Sequence, residues 1–215
     1  MPLKTHIIIG FTLLLLAISL ITTASAENAV KITPTLEFVD VQHDGETIRI
    51  EREQNVENRL SNSFSKTSRA CPPFCIQPAN LLESVTTVAE LEVLRFLDTQ
   101  VKNGQGLLVD SRMPEWHEKG TIPGSVNIPF TILNKGLDSK HIVRIIELLG
   151  ATQQNGKWDF SKVRDLMLFC NGPWCGQSTQ AINNLAKIGY PEDKLFWYRG
   201  GMQAWQQLGL TVVIP

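Results

Sequence analysis

Apolar residues in this chain are arranged in segments of contrasting period. From Thr35 to Glu53, TLEFVDVQHDGETIRIERE alternates apolar and polar positions on both sides of Asp44-Gly45. Alternation with period two predicts half-buried strands. Asp-Gly supplies the positive φ angles of a tight turn, so the segment predicts a β-hairpin. The polar EQNVENRLSNSFSKTSR that follows lacks periodicity and reads as a linker. After the proline-stiffened CPPFCIQP, Leu91, Val93, Leu94 and Leu97 give VAELEVLRFLDTQV a helical stripe.

From Gly106 the apolar runs become short and continuous. LLVD, LMLF and KLFWY have the character of strands buried on both faces, and SVNIP is a further strand candidate. Between and after them, KHIVRIIELLG, STQAINNLAKIG and MQAWQQLG read as helices stopped by Gly150, Gly189 and Gly209. This alternation predicts an α/β domain whose central, mainly parallel sheet is flanked by helices, with a small N-terminal β-hairpin extension. The expected organisation is a leader over 1–26, an extension over 27–78 (hairpin, linker and CPPFC segment) and the α/β domain over 79–215. The region from Asn134 to Phe160 is expected to lie over the site as a lid.

The first residues read as a targeting signal. Lys4 and His6 precede the uncharged IIIGFTLLLLAISLI, and Ala24-Ser25-Ala26 offers the small-x-small pattern of a signal peptidase site, so the mature chain is expected to start at Glu27. The alternative is an uncleaved membrane anchor, since Ile7 to Ala24 is just long enough to span a bilayer. Either way the remainder is expected in a bacterial periplasm, with no membrane contact once the signal is cleaved. Losing Lys4 leaves 19 basic against 21 acidic residues, 19 − 21 = −2, and no basic stripe, which argues against nucleic acid as a partner. In an oxidising compartment the 4 cysteines are read with disulfides in mind.

The candidate chemistry lies in LMLFCNGPWCGQSTQA. Sites in open parallel sheets form at the carboxyl ends of strands, where the next helix presents free N–H groups. Cys170 stands there, directly after LMLF, and the loop Asn171, Gly172, Pro173, Trp174, Cys175, Gly176, Gln177 leads into a helix starting near Ser178. A thiolate at Cys170 would face the positive helix end and the loop amides, which lowers a cysteine pKa from its free value of about 8.5. Gly172 and Gly176 are expected to let the loop curl into an anion-binding nest. The alternative is that Cys170 is a small buried hydrophobe.

Two resemblances meet on these residues. PWCGQS resembles a thioredoxin turn with Cys175 as the attacking thiol. A thioredoxin, however, needs two further strands and a cis-proline downstream, whereas KLFWY alone follows as a clear strand and Pro191 comes directly after a helix. The second resemblance is to the rhodanese family and spans roughly Val88 to Val213. LLVDSRMPEWHEKGTIPGSVNIP resembles its first motif through Asp110, Arg112, Glu115, Trp116, Gly120, Ile122, Pro123, Gly124, Asn127 and Pro129, with Thr121 replacing the family's histidine. The second motif matches at Cys170, Ser178, Ala181, Leu185, Gly189 and Tyr190, and the third at Gly200, Gly201, Met202, Ala204, Trp205, Gly209 and Leu210. Ordered motifs at suitable spacing outweigh one short pattern.

The rhodanese resemblance implies a sulfurtransferase. Its cysteine takes sulfane sulfur from a donor such as thiosulfate, holds it as a persulfide, and passes it to a thiol acceptor, a protein thiol included. It assigns the persulfide to Cys170, with Asp110 and Arg112 in support, as substrate contacts or as a structural ion pair. Neither a metal nor a cofactor is implied. The chain departs from the family's C-x-x-G-x-R-S loop: Ser178 lies eight positions after Cys170, Gln177 stands where arginine is common, and no Lys or Arg intervenes. Anion stabilisation must then rest on amides, the helix dipole or a residue from elsewhere. Cys175 is expected to act as a resolving thiol, within disulfide reach of Cys170. Cys71 and Cys75 are read first as a disulfide, second as a redox relay to the loop and last as metal ligands. The remaining functional alternatives are a periplasmic thiol–disulfide oxidoreductase using Cys170 and Cys175, and a non-catalytic rhodanese-fold binding module.

Overall fold

The computed structural model describes residues 29–215, so the expected signal peptide lies outside the described residues. Strands β1 (Phe38–His43) and β2 (Glu46–Glu51) pair antiparallel. Asp44 and Gly45 turn between them with φ of 49° and 86°, the positive pair that a tight hairpin turn requires. An irregular stretch then leads to β3 (Thr86–Val88) and α1 (Glu90–Phe96), whose axis continues as a wider turn to Val101.

The α/β part follows as β4 (Gly106–Asp110), α2 (Pro114–His117), β5 (Ser125–Asn127), α3 (Phe130–Leu133) and α4 (Lys140–Leu148). A small hairpin, β6 (Thr152–Gln154) and β7 (Lys157–Asp159), precedes β8 (Asp165–Phe169), α5 (Gln177–Lys187), β9 (Leu195–Tyr198) and α6 (Gly201–Gln207). The five-stranded sheet has the order β3-β9-β8-β4-β5, and every pairing in it is parallel. Strand β8 is central, and Leu166, Met167, Leu168 and Phe169 are all buried, which explains its unbroken apolar run. Gly150, Gly189 and Gly209 follow their helices at φ of 107°, 103° and 66°, a conformation in which a Cβ would be strained.

Helices cover both faces of the sheet. On one face α1 and α6 contribute Val93, Leu94, Phe96, Met202 and Trp205. On the other, α4 and α5 contribute Ile142, Ile146, Ile182 and Leu185. The N-terminal hairpin belongs to the first of these cores: Val39, Val41 and Ile50 pack there, and Ile50 is fully buried. The tail locks it down, with Glu53 N–H donating to Gly209 O at 2.6 Å and Thr211 N–H to Glu51 O at 3.1 Å. An isolated two-stranded hairpin is marginal in water, so this packing supplies its stability.

The region expected as a lid, Asn134 to Phe160, packs elsewhere. Ile142, Ile146, Trp158 and Phe160 join the cluster around Leu185 and Tyr190, because their apolar spacing matches the side of α5. Among the described residues no helix is long and apolar enough to cross a membrane.

Ile50→Ala removes a fully buried side chain shared by hairpin and domain. It is expected to cost about 2–5 kcal/mol and to shift one cooperative transition, followed by urea unfolding with tryptophan fluorescence and circular dichroism. A separate early transition of the hairpin would contradict the shared core.

Candidate active site

The parallel register sets the site. Phe169 of β8 pairs with Asp110 of β4 on one side and Tyr198 of β9 on the other. The residues that come next, Ser111, Cys170 and Arg199, therefore leave the sheet at its carboxyl edge. Ser111 N–H donates to Phe169 O at 3.0 Å, and the Ser111 hydroxyl is buried with no hydrogen-bond partner among the described residues.

Cys170 and Cys175 are joined by a disulfide across the loop, with Cα atoms 6.1 Å apart. Both are buried, at 2% and 5% exposure. Cys175 N–H closes the turn on Gly172 O at 2.9 Å. Helix α6 holds the loop from below: Met202 N–H donates to Cys170 O at 3.0 Å and Gln203 N–H to Asn171 O at 2.9 Å. The approach is close enough that a Cβ on Gly201, whose φ is 56°, would run into Cys170 O and Gly172 N. Trp174 adds a side-chain bond, its indole N–H donating to Gln203 Oε1 at 2.5 Å.

Gly172 and Gly176 do not curl the loop as expected, for neither has a positive φ. Gly172 is there for space, since a Cβ would sit 3.0 Å from Gln203 Oε1 and 3.1 Å from Trp174 Nε1. Gly176 is the N-cap of α5 and has no side chain to occupy the free amides of the first turn. Those donors stay available to an anion near Cys170. Gln177 opens α5 with its Oε1 3.5 Å from Cys170 Sγ. Ser178 is buried and accepts from the Trp197 indole N–H at 3.1 Å, which ties α5 to β9.

Asp110 and Arg112 are both buried and face each other. Arg112 donates to Asp110 through Nε at 2.8 Å and Nη2 at 2.5 Å. Nη2 also reaches Gly120 O at 2.7 Å, and Nη1 lies 3.4 Å from the loop residue Asn171. Thr121 Oγ1 donates to Asp110 at 2.8 Å, and His117 Nδ1 lies 3.0 Å from the same carboxylate. Burial pushes the Asp110 carboxyl up, but hydrogen bonds from Arg112 and His117, the Arg112 charge and Thr121 together hold it below the usual aspartate value. The pair positions the loop by way of Asn171, and every contact recorded for the guanidinium is internal.

A second disulfide, Cys71–Cys75, lies beside the loop, its Cα atoms 4.7 Å apart. Gln77 fastens this segment down. Its N–H donates to Pro173 O at 2.8 Å, its Nε2 donates to Cys75 O at 2.9 Å, and its Oε1 lies 3.3 Å from the Thr179 hydroxyl on α5. The Phe74 ring meets Trp174 edge-on at 5.6 Å, and the Arg69 guanidinium stacks 3.7 Å over the Trp174 ring. Arg199 donates to Gln77 O and Pro78 O at 2.9 Å and 3.2 Å. A cavity of about 440 Å³ opens here, lined by Arg69, Phe74, Ile76, Pro173, Trp174 and Arg199 among others.

The family model described as the rhodanese-like domain matches residues 94–208. The chain belongs to this family. Within the rhodanese-like domain, the first motif supplies the Asp110–Arg112 pair, the second the cysteine loop, and the third the Gly201 approach beneath it. No curated protein matches the chain. Among solved structures, the human single-domain sulfurtransferase TSTD1 is 24% identical over 57% of this chain and 96% of its own, with a TM-score of 0.40. A rhodanese from E. coli with bound anions is 21% identical over 51% of this chain and 99% of its own, with a TM-score of 0.33. A Rhodopseudomonas palustris protein of unknown function, described as a possible tyrosine phosphatase, is 20% identical over 60% and 86%, with a TM-score of 0.41.

Residues outside the family match complete the site. Arg69, Phe74 and Gln77 reach the loop from before residue 94, and no short-range pattern announced them. Arg199 and Gln203 flank the Gly200-Gly201 pair, so their closeness to the loop could have been read from the third motif.

Asp110→Asn leaves Arg112 buried without its counter-charge and is expected to cost about 3–5 kcal/mol at pH 7. Because the folded-state pKa of Asp110 is depressed, its contribution is full above the ordinary value of about 3.9 and is lost as pH falls through the lower folded value. The variant should therefore lose stability at pH 7 and show a flatter decline between pH 5 and pH 3, roughly the range bracketing that ordinary value, in urea titrations.

Proposed function

We infer that this rhodanese-like protein is an exported sulfurtransferase that carries sulfane sulfur on Cys170. The observation that carries this reading is the placement of Cys170 at the carboxyl end of the central strand, against the uncapped amides of α5, in a chain of this family. The reduced Cys170 thiolate attacks the outer sulfur of a donor such as thiosulfate. The donor S–S bond breaks, sulfite leaves with the bonding pair, and Cys170 holds a persulfide. An acceptor thiolate then takes the outer sulfur and returns Cys170 as thiolate.

The Cys170–Cys175 pairing supports a further exit from the persulfide. Cys175 thiolate attacks the inner sulfur, hydrosulfide leaves, and the loop closes as the disulfide. That pairing is also the observation favouring the second reading, a thiol–disulfide oxidoreductase that exchanges Cys170 and Cys175 with a substrate dithiol. Asp110 and Arg112 act as positioning residues in both. The partners are a small sulfur donor and a thiol acceptor.

The reduced protein, treated with thiosulfate and analysed by intact mass, is expected to gain one sulfur atom that reductant removes. Cys170→Ser should gain none, and Cys175→Ser should retain the sulfur longer because internal resolution is lost. Loss of two hydrogens in the full protein together with no sulfur gain in Cys175→Ser, where internal resolution cannot remove it, would replace the transferase reading with the oxidoreductase.

A further inference from the structure

The two cysteine pairs differ in how they meet solvent. Cys71 is exposed and Cys75 half-buried, whereas Cys170 and Cys175 are 2% and 5% exposed. Thiol–disulfide exchange requires a thiolate to approach a sulfur along the S–S axis. A folded protein dithiol cannot make that approach to a disulfide so deeply covered. It can make it to Cys71–Cys75.

We propose that Cys71 and Cys75 form a relay that passes electrons from an external protein dithiol to the buried Cys170–Cys175 disulfide. The segment is fixed to the loop by Gln77, which joins Pro173, Cys75 and Thr179, and by the Phe74–Trp174 contact. Cys75 is the less exposed member and its carbonyl accepts from Gln77, which itself holds the loop at Pro173, so the relay assigns the inner attack to it.

A relay works through thiolates, and thiolates need positive surroundings. The loop supplies no Lys or Arg between Cys170 and Ser178. Arg69 and Arg199 supply them from outside, on the cavity wall between Phe74 and Trp174. Their hydrogen bonds go to backbone carbonyls of Ser63, Lys66, Gln77 and Pro78, so their charge is not spent on a carboxylate among the described residues.

The exchange balances. A thiolate of the external dithiol attacks the Cys71–Cys75 bond. Its second thiol completes the release, leaving the external pair oxidised and Cys71 and Cys75 reduced. Cys75 thiolate then attacks Cys175 Sγ, the Cys170–Cys175 bond breaks, and Cys170 leaves as thiolate. Cys71 attacks Cys75 Sγ, re-forming their disulfide and releasing Cys175. Two electrons and two protons of the external dithiol end on Cys170 and Cys175. The relay serves the loop disulfide whatever reaction forms it, so it stands apart from the sulfur-transfer reading.

The test compares reduction of Cys170–Cys175 by thioredoxin and by a small phosphine, read by alkylation and peptide mass, in the full protein and in Cys71→Ser/Cys75→Ser. The variant is expected to react at least tenfold more slowly with thioredoxin and at an unchanged rate with the phosphine. Equal thioredoxin rates, or the same change with both reductants, would overturn the relay. Cys71→Ser alone should trap a disulfide between Cys75 and Cys175, and failure to find that cross-link would also overturn it. Neither measurement uses a sulfur donor, so its outcome is independent of persulfide formation.

Discussion

The Asp110 carboxylate, buried at the end of β4, gathers Arg112, His117 and Thr121, and Arg112 reaches on to Gly120 O and to Asn171 in the cysteine loop. Two opposite charges in a dry interior are costly to separate and gain little from solvent. The pair therefore fixes the turn after β4 and, through Asn171, the start of the loop after β8. The neighbouring register of β4 and β8 makes this possible, because Asp110 and Phe169 lie side by side. Thr121 adds a hydroxyl donor to the carboxylate and so belongs to the same network.

The loop itself is organised by close approach more than by charge. Gly201 allows α6 to bring two amide donors against the carbonyls of Cys170 and Asn171, and Trp174 braces the far side on Gln203. Arg69 and Arg199, contributed by separate parts of the chain, stand beside this loop, the first over Trp174 and the second on the carbonyls of Gln77 and Pro78. Gln177, a neutral amide where a guanidinium would carry charge, contributes an amide oxygen near Cys170 Sγ.

Much of the α/β core was legible because burial on both faces leaves continuous apolar runs. LLVD, LMLF and KLFWY became β4, β8 and β9 for that reason, and Asp-Gly marked the hairpin turn through its backbone requirement. The short elements were not legible. Thr86–Val88 is an edge strand of three residues, and β6 and β7 are exposed, so neither leaves an apolar signature. Cys170 was placed in a loop at a strand end, where it lies, but the shape of that loop was assigned to Gly172 and Gly176, whereas Gly201 is the glycine that the packing requires. The reason is physical: a close approach between distant segments is a tertiary constraint, and nothing within the loop records it. The seating of Gln77 and Arg69 was hidden in the same way, as was the packing of residues 134–160 on α5.

The tail of the chain meets early residues at two places: Leu210 bridges Arg52, and Val213 bridges Thr121 in the turn that Asp110 supports. The Arg52–Leu210 bridge closes one of the longest loops in the topology, and long-range closures come late because their entropy must be met before their contacts form. Until α6 and the residues that follow it are available, the hairpin's core is incomplete and Thr121 lacks its bridge to Val213. The cysteines of the loop, at 170 and 175, precede that closure in the chain. Their environment is therefore finished only when the last elements arrive, so a chain emerging from its N-terminal end would expose all its sulfur chemistry before its architecture could choose which sulfurs pair.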